Sequence, residues 1–117
     1  MFKNGNQAFY LSAKWKHKRA RVMRLYHYED AELARYGKHV EATMVHHIYP
    51  LEDYPELAMQ TWNLIPLTTA THNRMHDRTT NKVTSLGKQW QDRRRLKFEE
   101  WKSENERNSD CGSRLQK

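Results

Sequence analysis

Four of the chain's seven histidines fall within one stretch, VHHIYPLEDYPELAMQTWNLIPLTTATHNRMH (45–76). They form an adjacent pair, His46 and His47, and a second pair spaced by four, His72 and His76. A lone asparagine, Asn63, lies between them. On a helix, side chains four apart share a face one turn apart, so His72 and His76 can grip one cation. The metal helix of HExxH uses the same spacing. By itself such a pair is commonly plain surface; the neighbouring pair gives it meaning. In an extended strand adjacent side chains point to opposite faces, and near a strand's end the chain twists. His46 and His47 therefore need not do the same job: one can turn to a metal while the other faces a substrate.

Three imidazoles would leave a divalent cation with open positions for water or phosphate oxygens. A cation held there would polarise a phosphate and stabilise a leaving oxygen. A fourth histidine, not bound to metal and with a pKa near neutrality, could deprotonate the attacking water. These are the parts needed for single-metal phosphodiester hydrolysis.

The elements that must position these residues can be read around them. Val40 to Ile48 is β-prone and predicts a strand from about Thr43 to Ile48, ended by Pro50. LEDYPELA reads as a loop with one helical turn after Pro55. Trp62 to Leu67 predicts a second strand, with Pro66 marking an edge or an end. Thr69 or Thr71 then opens a helix through about Arg78. The order strand, loop, strand, helix is a ββα unit. Upstream, Ser12 caps a predicted helix from Ala13 to Tyr26. Leu11, Trp15, Val22 and Tyr26 fall near one face of it, and Lys14, Lys16, Lys18, Arg21 and Arg24 mostly point elsewhere. Residues 29–38 are acidic, with Gly37 as a stop or turn. Leu86, Trp90, Phe98 and Trp101 recur at helical spacing and predict a helix over 87–104. The expected architecture is an α+β fold: a small ββα core at about 40–78, flanked by N-terminal and C-terminal helices. One domain is expected over 1–104, with a polar, unstructured tail over 105–117.

Composition sets bounds. The chain of 117 residues fits one small domain with a thin core; 30% of its residues are charged and its mean hydropathy is −1.12. No apolar run is long enough to span a membrane, and the N-terminus lacks the apolar segment of a signal peptide. The single cysteine, Cys111, cannot form an internal disulfide, which fits a reducing cytoplasm. The net charge of +7 is unevenly spread. Residues 1–28 hold seven Lys/Arg and no Asp/Glu; residues 29–80 hold four and eight; residues 81–117 hold ten and six. Two basic arms flank a neutral-to-acidic middle that carries the histidines. Such arms suit a polyanion, because Lys and Arg that displace condensed counterions give affinity without sequence choice. The basic face of the 13–26 helix is thus solvent or DNA, and Arg74 and Arg78 are plain surface or phosphate clamps.

Taken together, VHHIYPL (45–51), ELA (56–58), WNLIPL (62–67) and HNRMH (72–76) resemble the HNH endonuclease family, whose core is the ββα-metal fold. FYLSAKWK (9–16) is similar to the N-terminal helix of its small phage-type members, and GKHV…VHHI (37–48) to their run into the first strand. The resemblance spans about residues 8–78. It implies His47 as the general base, and His46, His72 and His76 as ligands of one divalent ion: Mg, Mn, Ni or Zn. It implies that Asn63 holds the loop and keeps the base's ring oriented. It implies DNA as substrate, for which Lys14, Lys18, Arg21, Arg74 and Arg78 are the candidate contacts on their charge and placement. The products would be a 5′ phosphate and a 3′ hydroxyl. A phage origin also suggests packaging proteins as partners.

The departure lies in the cysteines. Many phage-type members carry two CxxC pairs for a structural zinc; the matching positions here are Asp30, Leu33, Thr68 and Thr71. No structural zinc is expected, and packing by Trp15, Tyr26, Tyr28, Leu33 and Trp62 is expected to replace it. Two other functions fit the same residues: a non-cutting module that grips DNA or a packaging complex, and a histidine site that binds zinc only to fold the chain.

Overall fold

The computed structural model describes the backbone of residues 4–116 and the side chains of residues 7–106. Its elements run α1 (Asn4–Leu11), α2 (Ala13–Leu25), α3 (Ala31–Ala34), β1 (Met44–His47), β2 (Leu64–Leu67), α4 (Thr69–Asn73), α5 (Ser85–Arg93) and α6 (Arg95–Gln116). The fold is α+β, a two-stranded antiparallel sheet among helices, as expected of the small ββα architecture.

Local chemistry sets the boundaries. The Ser12 side chain accepts from the Trp15 amide and starts α2. Trp15 and Val22 are buried along the helix as its periodicity predicts, but Leu11 is 65% exposed. Leu11 ends the separate helix α1, and the Ser12 cap breaks the run, so Leu11 does not continue the α2 stripe. Asp30 caps α3, a short helix within the acidic stretch 29–38. Gly37 takes φ +74°, the left-handed conformation expected at its turn.

β1 pairs with β2 in the register Met44↔Leu67, Val45↔Pro66, His46↔Ile65 and His47↔Leu64. Each strand has one free edge, so Pro66, which has no N–H, is tolerated. The pleat divides the core. Val45 and Leu64 pack with Trp15, Val22 and Met23 beneath α2. On the other face Ile48, Ile65 and Leu67 pack with Met75 and Trp90. Leu86, Phe98, Trp101, Tyr26 and Trp62 are partly buried against that second cluster.

Three expectations need correction. The helix of the histidine pair stops at Asn73 instead of Arg78. The C-terminal helix is two helices, broken at Arg94, whose guanidinium donates to the Trp62 carbonyl and the Tyr26 hydroxyl. The second of them, α6, is assigned over Arg95–Gln116, and the side chains beyond 106, where the polar tail is expected, lie outside the described residues. Third, the four positions aligned with cysteines are joined by more than packing. Asp30 accepts from the Leu33 and Thr68 amides, both at 2.8 Å, and from the Thr68 hydroxyl at 3.0 Å. The hydroxyls of Thr68 and Thr71 are 3.0 Å apart. Tyr28, expected to pack there, is 52% exposed. Neighbouring Glu32 is also buried and accepts from the Trp90 indole N–H at 2.9 Å, tying α3 to α5.

Candidate active site

The pleat of β1 sends its two adjacent histidines to opposite faces of the sheet. His46 faces α4. Its ring centroid lies 5.1 Å from that of His72 and 5.5 Å from that of His76. One potential ligand atom from each of these three residues lies within 4.8 Å of the others. Among the described residues no other group of three or more His, Cys, Asp or Glu side chains is so placed. The Nδ1 of His76 is buried without a hydrogen-bond partner. A buried nitrogen lone pair left unpaired costs free energy, and a cation shared by the three rings would satisfy it. The donor set thus fits a divalent ion of borderline softness.

His76 does not reach this cluster by helical periodicity. After Asn73 the chain tightens: the Arg74 amide donates to the Thr71 carbonyl and the Met75 amide to that of His72. The next carbonyls are taken by Thr84, whose hydroxyl donates to the Arg74 carbonyl at 2.6 Å and whose amide donates to that of Met75 at 2.9 Å. His76 then forms a β-bridge with Val83. Thr84 also caps α5 by accepting from the Gly87 amide. A tertiary clamp has outcompeted the last helical turn.

His47 lies on the other face, against α1 and α2. Its ring stacks on Trp15, with centroids 5.0 Å apart and planes at 22°, and touches Phe9 and Tyr10. Its Nε2 is 3.1 Å from the Ala58 carbonyl. A carbonyl can only accept, so Nε2 carries the proton and Nδ1 holds the lone pair of the neutral ring. That lone pair faces the Tyr10 hydroxyl at 3.5 Å. Burial pushes the His47 pKa down to about 4, against a smaller upward pull from the Ala58 bond. Tyr10 is raised by burial and by nearby Glu52, so its hydroxyl keeps its proton at neutral pH.

Burial also lowers the three clustered histidines. In His46 and His72 the neighbouring imidazoles add to it; in His76, Glu52 and Asp53 oppose it. All are neutral at pH 7, the form that binds metal.

Asn63 is fully buried, and its side-chain hydrogen bonds go to the loop after β1. Its Oδ1 accepts from the Tyr49 amide at 2.7 Å, and its Nδ2 donates to the Tyr49 and Leu57 carbonyls, each at 3.2 Å. It pins both ends of the 49–57 loop. The next residue, Ala58, supplies the carbonyl that orients His47, so any hold of Asn63 on the ring is indirect.

One pocket of about 490 Å³ joins the two faces at the strand's end, lined by His46, His47, His72 and His76 together. Lys14, Lys18 and Arg21 line a separate groove along α2 with His17 and Met59, and Lys18 donates to the Thr61 hydroxyl at 3.0 Å. Arg74 and Arg78 are exposed and do not line the histidine pocket. Tyr10, Arg19, Glu52 and Asp53 line it and were not singled out from sequence. Only Tyr10 carried a signal, through its place in FYLSAKWK.

No family model and no curated protein matches the sequence. Among solved structures, the chain is similar to the crystal structure of the HNH endonuclease of the deep-sea thermophilic bacteriophage GVE2 with manganese ion. The TM-score is 0.58 and the identity 31%, over 60% of this chain and 76% of that one. No helix among the described residues is long and apolar enough to cross a membrane.

Proposed function

The chain belongs to the HNH endonuclease family, and on that premise we propose that it is a metal-dependent DNA endonuclease that hydrolyses phosphodiester bonds. The observation that carries this reading is the division across β1: His46 joins His72 and His76 on one face, while His47 on the other turns its Nδ1 lone pair toward the pocket and the Tyr10 hydroxyl. His46, His72 and His76 hold one divalent ion. Such an ion, once bound, supplies charge stabilisation at the phosphate and its leaving oxygen. His47 Nδ1 takes a proton from the attacking water. The water oxygen bonds to phosphorus, the bond to the 3′ oxygen breaks, that oxygen takes a proton from solvent, and the products are a 5′ phosphate and a 3′ hydroxyl. Asn63 holds the loop whose following carbonyl, that of Ala58, keeps the proton on Nε2 and the lone pair on Nδ1. Lys14, Lys18 and Arg21 along α2, with Arg74 and Arg78 outside the pocket, contact the DNA backbone. The manganese of the similar phage protein makes that ion the first to try.

A plasmid-nicking assay with Mg²⁺, Mn²⁺, Ni²⁺ and Zn²⁺ tests the reading. Nicked product with at least one ion, abolished by chelator, is expected. Intact plasmid with every ion would overturn it in favour of a module that grips DNA or a packaging complex without cutting.

A further inference from the structure

The pocket is electrically polarised. At one end Glu52 and Asp53 line it near His76. At the other end, among the described lining residues, Arg19 is the one Lys or Arg. Its Nη2 donates to the Thr43 carbonyl at 3.1 Å, which fixes the guanidinium at the start of β1. A guanidinium carries five N–H donors, and among the described residues no ion pair involves Arg19, although two carboxylates line the same pocket. A half-buried, anchored Arg with spare donors and no carboxylate partner is built to receive an anion in its planar fork.

Thr43 precedes His46 by three residues. At about 3.3 Å per residue along a strand, the anchor lies roughly 10 Å from the clustered histidines. That span is more than one phosphate step along a strand and less than two, and it is too long for one phosphate to touch both ends. The Asp53 carboxylate at the opposite end would repel the backbone, which leaves the Arg19 end as its path.

We propose that Arg19 grips a phosphate flanking the scissile one, on the strand that enters the pocket. The proposal rests on the nuclease reading and names a contact within the same site.

The test compares wild type with Arg19→Gln and Arg19→Lys. Duplex binding is measured against salt in chelator, and cleavage is measured on plasmid and on bis(p-nitrophenyl) phosphate, a diester with no flanking phosphate. For Arg19→Gln, the salt slope of binding should fall by about one. The KM for DNA should rise about five- to tenfold, with kcat and hydrolysis of the small diester within about twofold of wild type. Arg19→Lys keeps the charge and loses the fork. It should keep the salt slope and raise KM about two- to threefold, and it keeps the comparison readable if Arg19→Gln folds poorly. Wild-type KM in both variants would overturn the proposal. So would an equal loss on DNA and on the small diester, which would put Arg19 at the scissile phosphate. A wild-type protein that cuts neither substrate with any ion would instead overturn the nuclease reading, and the salt slope would still report on Arg19.

Discussion

Asp30 takes two hydrogen bonds from a single distant residue, Thr68: one from its amide at 2.8 Å and one from its hydroxyl at 3.0 Å, across 38 positions of chain. Thr68 is the N-cap of α4, and α4 carries His72. The carboxylate therefore ties α3 to the start of the helix that presents a proposed ligand. Burial alone would raise its pKa; the amides of Thr68 and Leu33, then the hydroxyls of Thr71 and Thr68, hold it below the usual carboxylate range.

Asp30→Ala should cost about 2–3 kcal/mol, the scale of hydrogen bonds to a buried charge left without their acceptor. Denaturant unfolding of the metal-free protein would measure it. A loss under about 0.5 kcal/mol, within the range of ordinary surface changes, would mean that packing alone holds α3 to α4.

Thr84 is expected to govern metal affinity without touching metal. Thr84→Val removes the 2.6 Å bond to the Arg74 carbonyl and the cap of α5, freeing the turn that delivers His76. Calorimetric titration should show affinity down about tenfold, with Thr84→Ser close to wild type. Gly87→Ala should act on the same turn, because its Cβ would lie 2.7 Å from the Met75 carbonyl oxygen and 2.5 Å from Val83 Cγ1. Backbone cannot yield as a flexible side chain can. Wild-type affinity in both Thr84→Val and Gly87→Ala would show that His76 finds its place without the clamp.

His47 and His72 should separate chemistry from binding. His47→Ala is expected to lower nicking at least about 100-fold, the usual worth of a general base, while divalent-ion affinity stays within about threefold. His72→Ala should weaken the binding isotherm itself. Cleavage by His47→Ala at the wild-type rate would remove His47 from the reaction.

Much of this site was legible because strand geometry is strict. A period of two puts His46 and His47 on opposite faces whatever the rest of the chain does, and Ser12 announced the start of α2. The path to His76 was hidden. The four-residue spacing matched a helix, yet the helix ends three residues before His76 because Thr84, far along the chain, takes the carbonyls it needed. No local pattern signals that competition. Arg19 was obscured for a similar reason. In a run of six cations from Lys14 to Arg24, only the packing of α2 against β1 distinguishes the one aimed at the pocket.

The depressed histidines predict how the metal-free protein responds to acid. His47 titrates at about 4 when folded, against an ordinary 6.5, and His46, His72 and His76 are lowered too. Below pH 6.5 the unfolded chain takes up protons that the folded chain refuses, so stability is greatest above that value and declines as pH falls. For His47 alone the decline runs from about pH 6.5 to 4 and amounts to roughly 3 kcal/mol. Asp30, held below the usual carboxylate range, keeps its contribution through most of this window and loses it only in stronger acid. Urea unfolding in chelator at pH 7.5, 6, 5 and 4.5 would trace the curve. His47→Gln should flatten it, and a saturating divalent ion should delay its onset, since bound metal competes with protons for the same nitrogens. Constant stability from pH 7.5 to 5 without metal would mean that the four rings are not shielded as their burial requires.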